Sequence, residues 1–420
     1  MLNEIDLQNW FRQLIEKSKF QIKWIPLSKS SGWSFSKGKI IHRSGHFFKI
    51  IGLRYIDSSE GSFDQPFIDQ REIGTLGFLI REINQKKEIL VQAKIEPGNS
   101  NIVQIAPTCQ ATKSNSLQFH GGKEPPFSHL FTKEHPQIIS STLQSEQGSR
   151  FYHKRNRNIL AITQQTIKFP DTHKWMSIDA ILDLLSKDYI VNTDARSVLV
   201  CSPWKELVKR APFSRYQDIV STELSESYNQ KINTPQFTEI KKKIRSVQEK
   251  KYFKKIIPLS KLSDWKITDF GIEDLKKKYF RVRYLKVIAK NREVPEWDQP
   301  IIDSYNEGKI NLICGRIGGI LHFNFSILEE PGLYNNVELS PIMSDFNRPN
   351  MQILKSVVQS DEGGRFYQDT ARYQVIDIGQ ADRNLPGYWL NLAQIQHLTL
   401  KNGWFSNEAR SVISLLLGWL

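Results

Sequence analysis

The string IPLSKSSGW, from Ile25 to Trp33, recurs as IPLSKLSDW from Ile257 to Trp265. A chain that repeats itself must fold as copies of one supersecondary unit, which constrains the architecture more than any composition does. With an offset of 232, Phe48 also meets Phe280. The correspondence continues: Phe63-Asp64-Gln65-Pro66 faces Trp297-Asp298-Gln299-Pro300, Glu96-Pro97-Gly98 faces Glu330-Pro331-Gly332, and Pro107 faces Pro341. Later, Gln144-Ser145-Glu146-Gln147-Gly148-Ser149-Arg150-Phe151-Tyr152 faces Gln359-Ser360-Asp361-Glu362-Gly363-Gly364-Arg365-Phe366-Tyr367, Trp175 faces Trp389, and Ala195-Arg196-Ser197-Val198 faces Ala409-Arg410-Ser411-Val412. The order is kept and the gaps are small, which predicts a tandem duplication.

Each copy opens with β-rich segments, HFFKIIGLRY and YFRVRYLKVIA, and closes with helical patterns, so two similar α+β modules are expected. Ile178, Ile181, Leu182 and Leu185 form one helical stripe behind Ser177, a suitable N-cap, and a second short helix carries the Ala-Arg-Ser-Val string. Residues 1–24 read as a leading amphipathic helix, with Leu7, Trp10, Phe11, Leu14 and Ile15 at helical spacing. The modules are then expected at 25–202 and 257–420, with a helical connector at 203–256. One connector helix is predicted over Phe213 to Tyr228, with Pro235 interrupting.

Between Pro203 and Lys255 there are 13 Lys plus Arg against 6 Asp plus Glu, so the connector holds half of the chain's net charge of +14. Lys241-Lys242-Lys243, Lys250-Lys251 and Lys254-Lys255 read as a solvated face. The alternative is a non-enzymatic module that holds nucleic acid or another anionic polymer on this connector, with salt-sensitive binding.

Several classes are unsupported. Cys109, Cys201 and Cys314 lack CxxC spacing, which argues against a disulfide framework or a thiolate zinc site and fits a reducing compartment. The start MLNEIDLQNWF carries acids where a signal peptide needs a basic run, and no apolar stretch approaches about 20 residues, so a cytoplasmic protein is expected. No GxGxxG, Walker A, GxSxG or HExxH pattern occurs. Arg71-Glu72 and Arg81-Glu82 begin like the magnesium helix of pyrophosphohydrolases but lack the paired glutamates and glycine that complete it.

The stretch from Ile89 to Asn115 is the most informative for chemistry. Read as extended chain, Val91, Ala93 and Ile95 point to one face and Gln92, Lys94 and Glu96 to the other, before Pro97-Gly98-Asn99 turns the chain. Val103 and Ile105 then oppose Gln104. Such a polar row is either solvated or lines a site. In the second copy Gln92 becomes Ser326, Lys94 becomes Leu328 and Thr112 becomes Phe346, whereas Glu96 is matched by Glu330. His42-Arg43-Ser44-Gly45-His46 faces Asp274-Leu275-Lys276-Lys277-Lys278, and the run from His153 to Asn158 also changes. The first copy therefore reads as the working one. Lys154, Arg155 and Arg157, with Asn156 and Asn158, suit an anionic ligand such as phosphate. Glu146 is a candidate acid or base and His42 a candidate proton shuttle, while Gln65 is either a turn residue or a ligand contact.

The strings HRSGHFF, FDQPFIDQREIG, QAKIEPGN, VQIAPTCQATKSN, HGG and QSEQGSRFYHKRNRN, within the tandem repeat, resemble the sugar-nucleotide 2,3-dehydratase family of deoxysugar biosynthesis, over nearly the whole chain. The resemblance implies a homodimer whose subunits hold two Nudix-like modules without the metal box, the second being degenerate. It also implies a dTDP-4-keto-6-deoxyglucose substrate, no redox cofactor, and a partner NADPH-dependent 3-ketoreductase to consume a labile product. Under that reading Glu96 or Glu146 is the base, and Lys94 polarises the ketone or protonates the leaving hydroxyl. Gln92, Gln104, Thr112 and Asn115 fix the hexose, and Lys154, Arg155 and Arg157 neutralise the diphosphate.

Overall fold

The computed structural model describes residues 4–57, 61–119, 121, 123–132, 137–250, 253–290 and 294–420. His120 and Gly122 of the HGG string, and Lys251 of the connector, lie outside the described residues. The fold is α+β, with four mixed or antiparallel sheets among those residues.

Two of the sheets have the same pairing logic in the two halves of the chain. In the first, Arg155–Ile162 lies parallel to Gly74–Ile83 and antiparallel to Gln137–Ser145, and Lys86–Ile95 follows Gly74–Ile83 as a hairpin. In the second, Thr370–Gln380 lies parallel to Gly308–Ile317 and antiparallel to Gln352–Ser360, and Ile320–Glu329 follows as the hairpin partner. Val91, Ala93 and Ile95 point into the core, as their alternation with polar residues predicts.

The other two sheets are completed by exchange. The strand Gln21–Trp24, ahead of the first IPLSK string, pairs with Phe280–Ile288 in the second half. Reciprocally, Phe253–Ile257, leading into the second string, pairs with Lys49–Asp57 in the first half. The repeated tryptophans fasten this crossing. Trp33 Nε1 donates to the Asp298 carbonyl at 2.8 Å, and Trp265 Nε1 donates to the Asp64 carbonyl at 3.0 Å. The Asp298 carboxylate accepts the amides of Ser31 at 2.6 Å and Gly32 at 3.1 Å, and Asp64 likewise accepts from the Ser263 amide at 2.8 Å.

A second pair of crossings joins turns. Gly98, in the first EPG turn, donates its amide to Gly363 O at 2.8 Å and accepts from the Gln368 amide at 2.7 Å. Gly332, in the second, donates to Gly148 O at 2.8 Å and accepts from His153 at 2.7 Å. A β-carbon on Gly98 would lie 1.5 Å from Phe366 O, and one on Gly332 would lie 1.8 Å from Phe151 O, so only glycine fits either position.

The helices close the core. Ser177 caps Ile178–Leu184 by accepting from the Ala180 amide, as its sequence predicts. The helices Thr193–Val200 and Asn407–Ile413, which carry the Ala-Arg-Ser-Val strings, pack on each other, with Thr193 Oγ1 donating to Asn407 Oδ1 at 3.1 Å. Arg196 and Arg410 are fully buried, and each finds carbonyl and serine acceptors. One continuous apolar cluster runs from Leu7 and Trp10 of the leading helix Glu4–Ser18 through Trp204, Phe213 and Phe237 of the connector to Phe323 and Phe325 of the second half.

The connector differs from expectation in two places. Its helix is Ile219–Tyr228, because Asp218 caps it and Phe213 has a positive φ of 62° that no helix accommodates. Pro235 does not interrupt a helix. It opens Pro235–Gln248 at the first turn, where its missing N–H is harmless, behind the cap Thr234. Phe237, Ile240 and Ile244 of that helix are buried, and Lys241 lies over the Phe237 ring.

Candidate active site

The docking of the first EPG turn on the second half's Gly363 brings two polar surfaces face to face. Between them lies a cavity of about 410 Å³, lined from the first half by His42, Lys94, Glu96, Thr112, Asn115, Lys154, Asn156 and Asp194. The second half contributes Trp297, Asp298, Gln299, Glu362 and Arg365. Its size suits a small organic ligand.

Lys94 and Glu96 sit on the same face of Lys86–Ile95 and its continuation, and Lys94 Nζ lies 3.2 Å from Glu96 Oε1. Lys94 also donates to Gln110 O at 3.4 Å, while Glu96 Oε2 is buried without a hydrogen-bond partner. Across from them is Glu362. The position a β-carbon would take on Gly364 lies 3.1 Å from Glu362 Oε1 and 3.4 Å from Glu96 Oε1, so the two carboxyl groups flank one glycine. Burial raises Glu362 above the usual carboxylate range, with Arg365 opposing and Glu96 adding to the rise. Asp194, in the first turn of Thr193–Val200, is raised well above its ordinary value, chiefly by burial and then by Glu146 and Glu362.

Lys154 is buried and donates to Glu72 O at 3.0 Å; desolvation lowers its pKa, against the pull of Glu72, Glu362 and Glu146. The Glu72 carboxylate accepts from the Ser114 amide at 2.7 Å and so holds the short helix Lys113–Ser116, whose cap Thr112 and residue Asn115 reach the cavity. His42 Nδ1 accepts from the Ser44 amide at 3.2 Å, which leaves Nε2 toward Gly32 and the cavity; burial lowers its pKa, so the neutral ring is favoured near pH 7.

The remaining expected residues lie elsewhere. Glu146 is buried outside the cavity lining, accepting from Asn156 Nδ2 at 2.5 Å and Asn407 Nδ2 at 2.8 Å; burial pushes it up to about 7. Gln65 donates to Ser149 O at 2.5 Å, and its counterpart Gln299 donates to Gly364 O at 2.6 Å, so each steadies the SRF or GRF turn of its own half. Gln104 stands opposite Lys94 in the sheet but donates to Ser360 Oγ at 2.7 Å, bracing the segment that carries Glu362. Gln92 is buried in the same strand, outside the lining. The basic run is split by strand alternation. Lys154, Asn156 and Asn158 point inward, while Arg155 stacks 3.7 Å from the Tyr334 ring and Arg157 donates to Ser141 Oγ at 3.2 Å on the opposite side.

A family model described as NDP-hexose 2,3-dehydratase matches residues 4–202, 238–345 and 342–416. The chain belongs to the NDP-hexose 2,3-dehydratase family. Within that family it is 31% identical to the dTDP-4-dehydro-6-deoxy-alpha-D-glucopyranose 2,3-dehydratase of Saccharopolyspora spinosa, over 99% of this chain and 92% of that protein. It is also 31% identical to enzymes of the same description from Amycolatopsis orientalis, over 98% of this chain and 89% of that one, and from Streptomyces violaceoruber, over 96% and 95%.

In this member of the 2,3-dehydratase family the cavity is also lined by residues that comparing the halves in one direction overlooks. Searching only for polar groups confined to the first half finds Lys94 and Thr112 but passes over Glu362, which stands where the first half has Gln147. Arg365 and Asp298 are equally hidden, because each has a counterpart, Arg150 and Asp64, serving the fold. Asp194 precedes the Ala-Arg-Ser-Val string, where the second half has Glu408. At the opposite crossing, around Gly332, the groups are Glu330, Gln147 and Glu408, with Leu328 in place of Lys94. Without that lysine, burial and Glu408 push Glu330 up to about 8.

Proposed function

We propose that this protein eliminates water across C2–C3 of dTDP-4-keto-6-deoxy-D-glucose, giving dTDP-3,4-diketo-2,6-dideoxyhexose. The observation that carries the reading is the cavity where the Lys94–Glu96 pair meets the buried Asp194 and the half-buried Glu362, in a chain of this family. The C4 ketone acidifies the C3 hydrogen. Glu96, whose Oε2 is unpartnered, removes that proton, and the electrons form an enolate onto O4. Lys94 stabilises the developing oxyanion from a site where little water screens it. Collapse of the enolate forms C2=C3 as the C2–O bond breaks, and the resulting enol becomes the C3 ketone. Thr112 and Asn115 orient the hexose, and Lys154 with Arg365 faces the diphosphate.

The two halves are read as copies of one Nudix-like module, the subunit as half of a homodimer, and the product as the substrate of a separate NADPH-dependent 3-ketoreductase. Three buried, unpaired cysteines fit a cytoplasmic setting, and among the described residues no helix is long and apolar enough to cross a membrane. Proton NMR in deuterated water, with a 3-ketoreductase and NADPH trapping the product, tests the reaction. A 2-deoxy sugar carrying deuterium at C2 is expected; an unchanged substrate beside an active reductase would refute it.

A further inference from the structure

An elimination needs an acid as well as a base, because hydroxide is a poor leaving group from C2. Glu362 is placed for that part. It lines the cavity, its carboxyl makes no hydrogen bond or ion pair among the described residues, and it and Glu96 both approach the space that a side chain on Gly364 would fill, their Oε1 atoms 3.1 and 3.4 Å from that point. Glu96, by contrast, has the Lys94 ammonium against one oxygen.

We infer that Glu362 is the general acid that protonates the departing C2 hydroxyl, so that the second half of the chain supplies one member of the acid–base pair. The inference rests on the dehydration proposed above. In the step, the C3–H bond breaks and its proton passes to Glu96. The C2–O bond then breaks as C2=C3 forms, and the Glu362 proton completes the water. Glu96 ends protonated and Glu362 ionised, and exchange with solvent restores both. Burial supports the assignment, since it favours the protonated form of Glu362. The two crossings differ in the same sense: the one around Gly332 keeps a glutamate, Glu330, but has at the acid position Gln147, whose amide has no carboxyl proton to give.

The test separates proton removal from loss of hydroxide. Wild-type protein and Glu362→Gln are incubated with the 4-keto sugar nucleotide in deuterated water, following deuterium at C3 of recovered substrate and trapped 2-deoxy product, with dTDP affinity measured alongside. The variant is expected to lose product formation by about a hundredfold or more, the scale of general acid catalysis. It should still exchange the C3 hydrogen above the no-enzyme rate and bind dTDP as wild type does. Product formation within a few-fold of wild type, or loss of C3 exchange together with product, would overturn the assignment. If Glu362→Gln does not fold, Glu362→Asp, which withdraws the carboxyl by one methylene, replaces it: lost product with retained C3 exchange supports the role, and any other pattern overturns it. A wild type without turnover removes the dehydration itself and this inference with it; a turning-over wild type beside an equally active variant removes only the role of Glu362.

Discussion

Gly98 and Gly363 are joined by a 2.8 Å hydrogen bond from the amide of one half to the carbonyl of the other, and that contact sets Glu96 beside Glu362. Any side chain on Gly98 collides with Phe366 O, a backbone atom that cannot swing aside. Gly98→Ala should therefore destabilise the protein by about 3 kcal/mol, the upper end of overpacking costs, and lower turnover even where it folds. Urea denaturation reads the first effect. A midpoint equal to that of wild type would show that the crossing is not rigid.

Lys94 is held by Glu96 and the Gln110 carbonyl rather than by solvent, and its nearest charges belong to the cavity. Lys94→Met should reduce turnover by about a hundredfold or more, the scale seen when one oxyanion donor is removed. Nucleotide affinity should stay within about threefold, because the interaction is made with the reacting sugar. Isothermal titration with dTDP, beside the trapped assay, decides it. Equal loss of both properties would take Lys94 out of the chemistry.

The crossing around Gly332 should be visible in stability rather than in rate. Glu330 is pushed up to about 8, first by burial and then by Glu408, so the folded state holds its proton more tightly than the unfolded chain does. Its stabilising contribution is full below the ordinary glutamate value and is lost as pH rises toward 8, by a few kcal/mol at most. Glu330→Gln keeps the shape without the titration. Thermal melts between pH 5 and 9 should then show a shallower fall for the variant, with Glu146 and Glu338, both raised to about 7, and the likewise raised Asp194 and Glu362 contributing to the slope that remains. Parallel pH curves for the two proteins would contradict the assignment of the slope to Glu330.

Much of the fold and part of the site are legible in the residues, and the misses share a cause. Alternation within 93–96 separates core from cavity because both faces of a strand are written in its own sequence. The same period explains why Arg155 and Arg157 turn away from Lys154, although a cluster of charge invites reading all three together. What a strand pairs with is not written locally. Nothing in QIKW or FKKII states that each completes the sheet of the other half, and nothing local states that Gly98 docks on Gly363, the contact without which Glu362 would be assigned to a different site from Glu96. The helix ends are legible only where a cap decides them: Ser177 marks its helix, whereas Asp218, five residues beyond Phe213, starts the connector helix later than apolar spacing suggests.

The exchanged strands also give the chain a topology closer to a clasp than to beads on a string. Residues 21–24 reach forward across the connector to 285–288, and residues 253–257 reach back to 52–56, so each half is threaded through the edge of the other. A break in the connector after the helix Ile219–Tyr228, between Asn229 and Thr234, severs the backbone but none of these ladders. The two fragments remain interlocked, whereas a cut at the first copy of the repeat, just before Ile25, leaves the strand Gln21–Trp24 joined to the sheet it completes by hydrogen bonds alone.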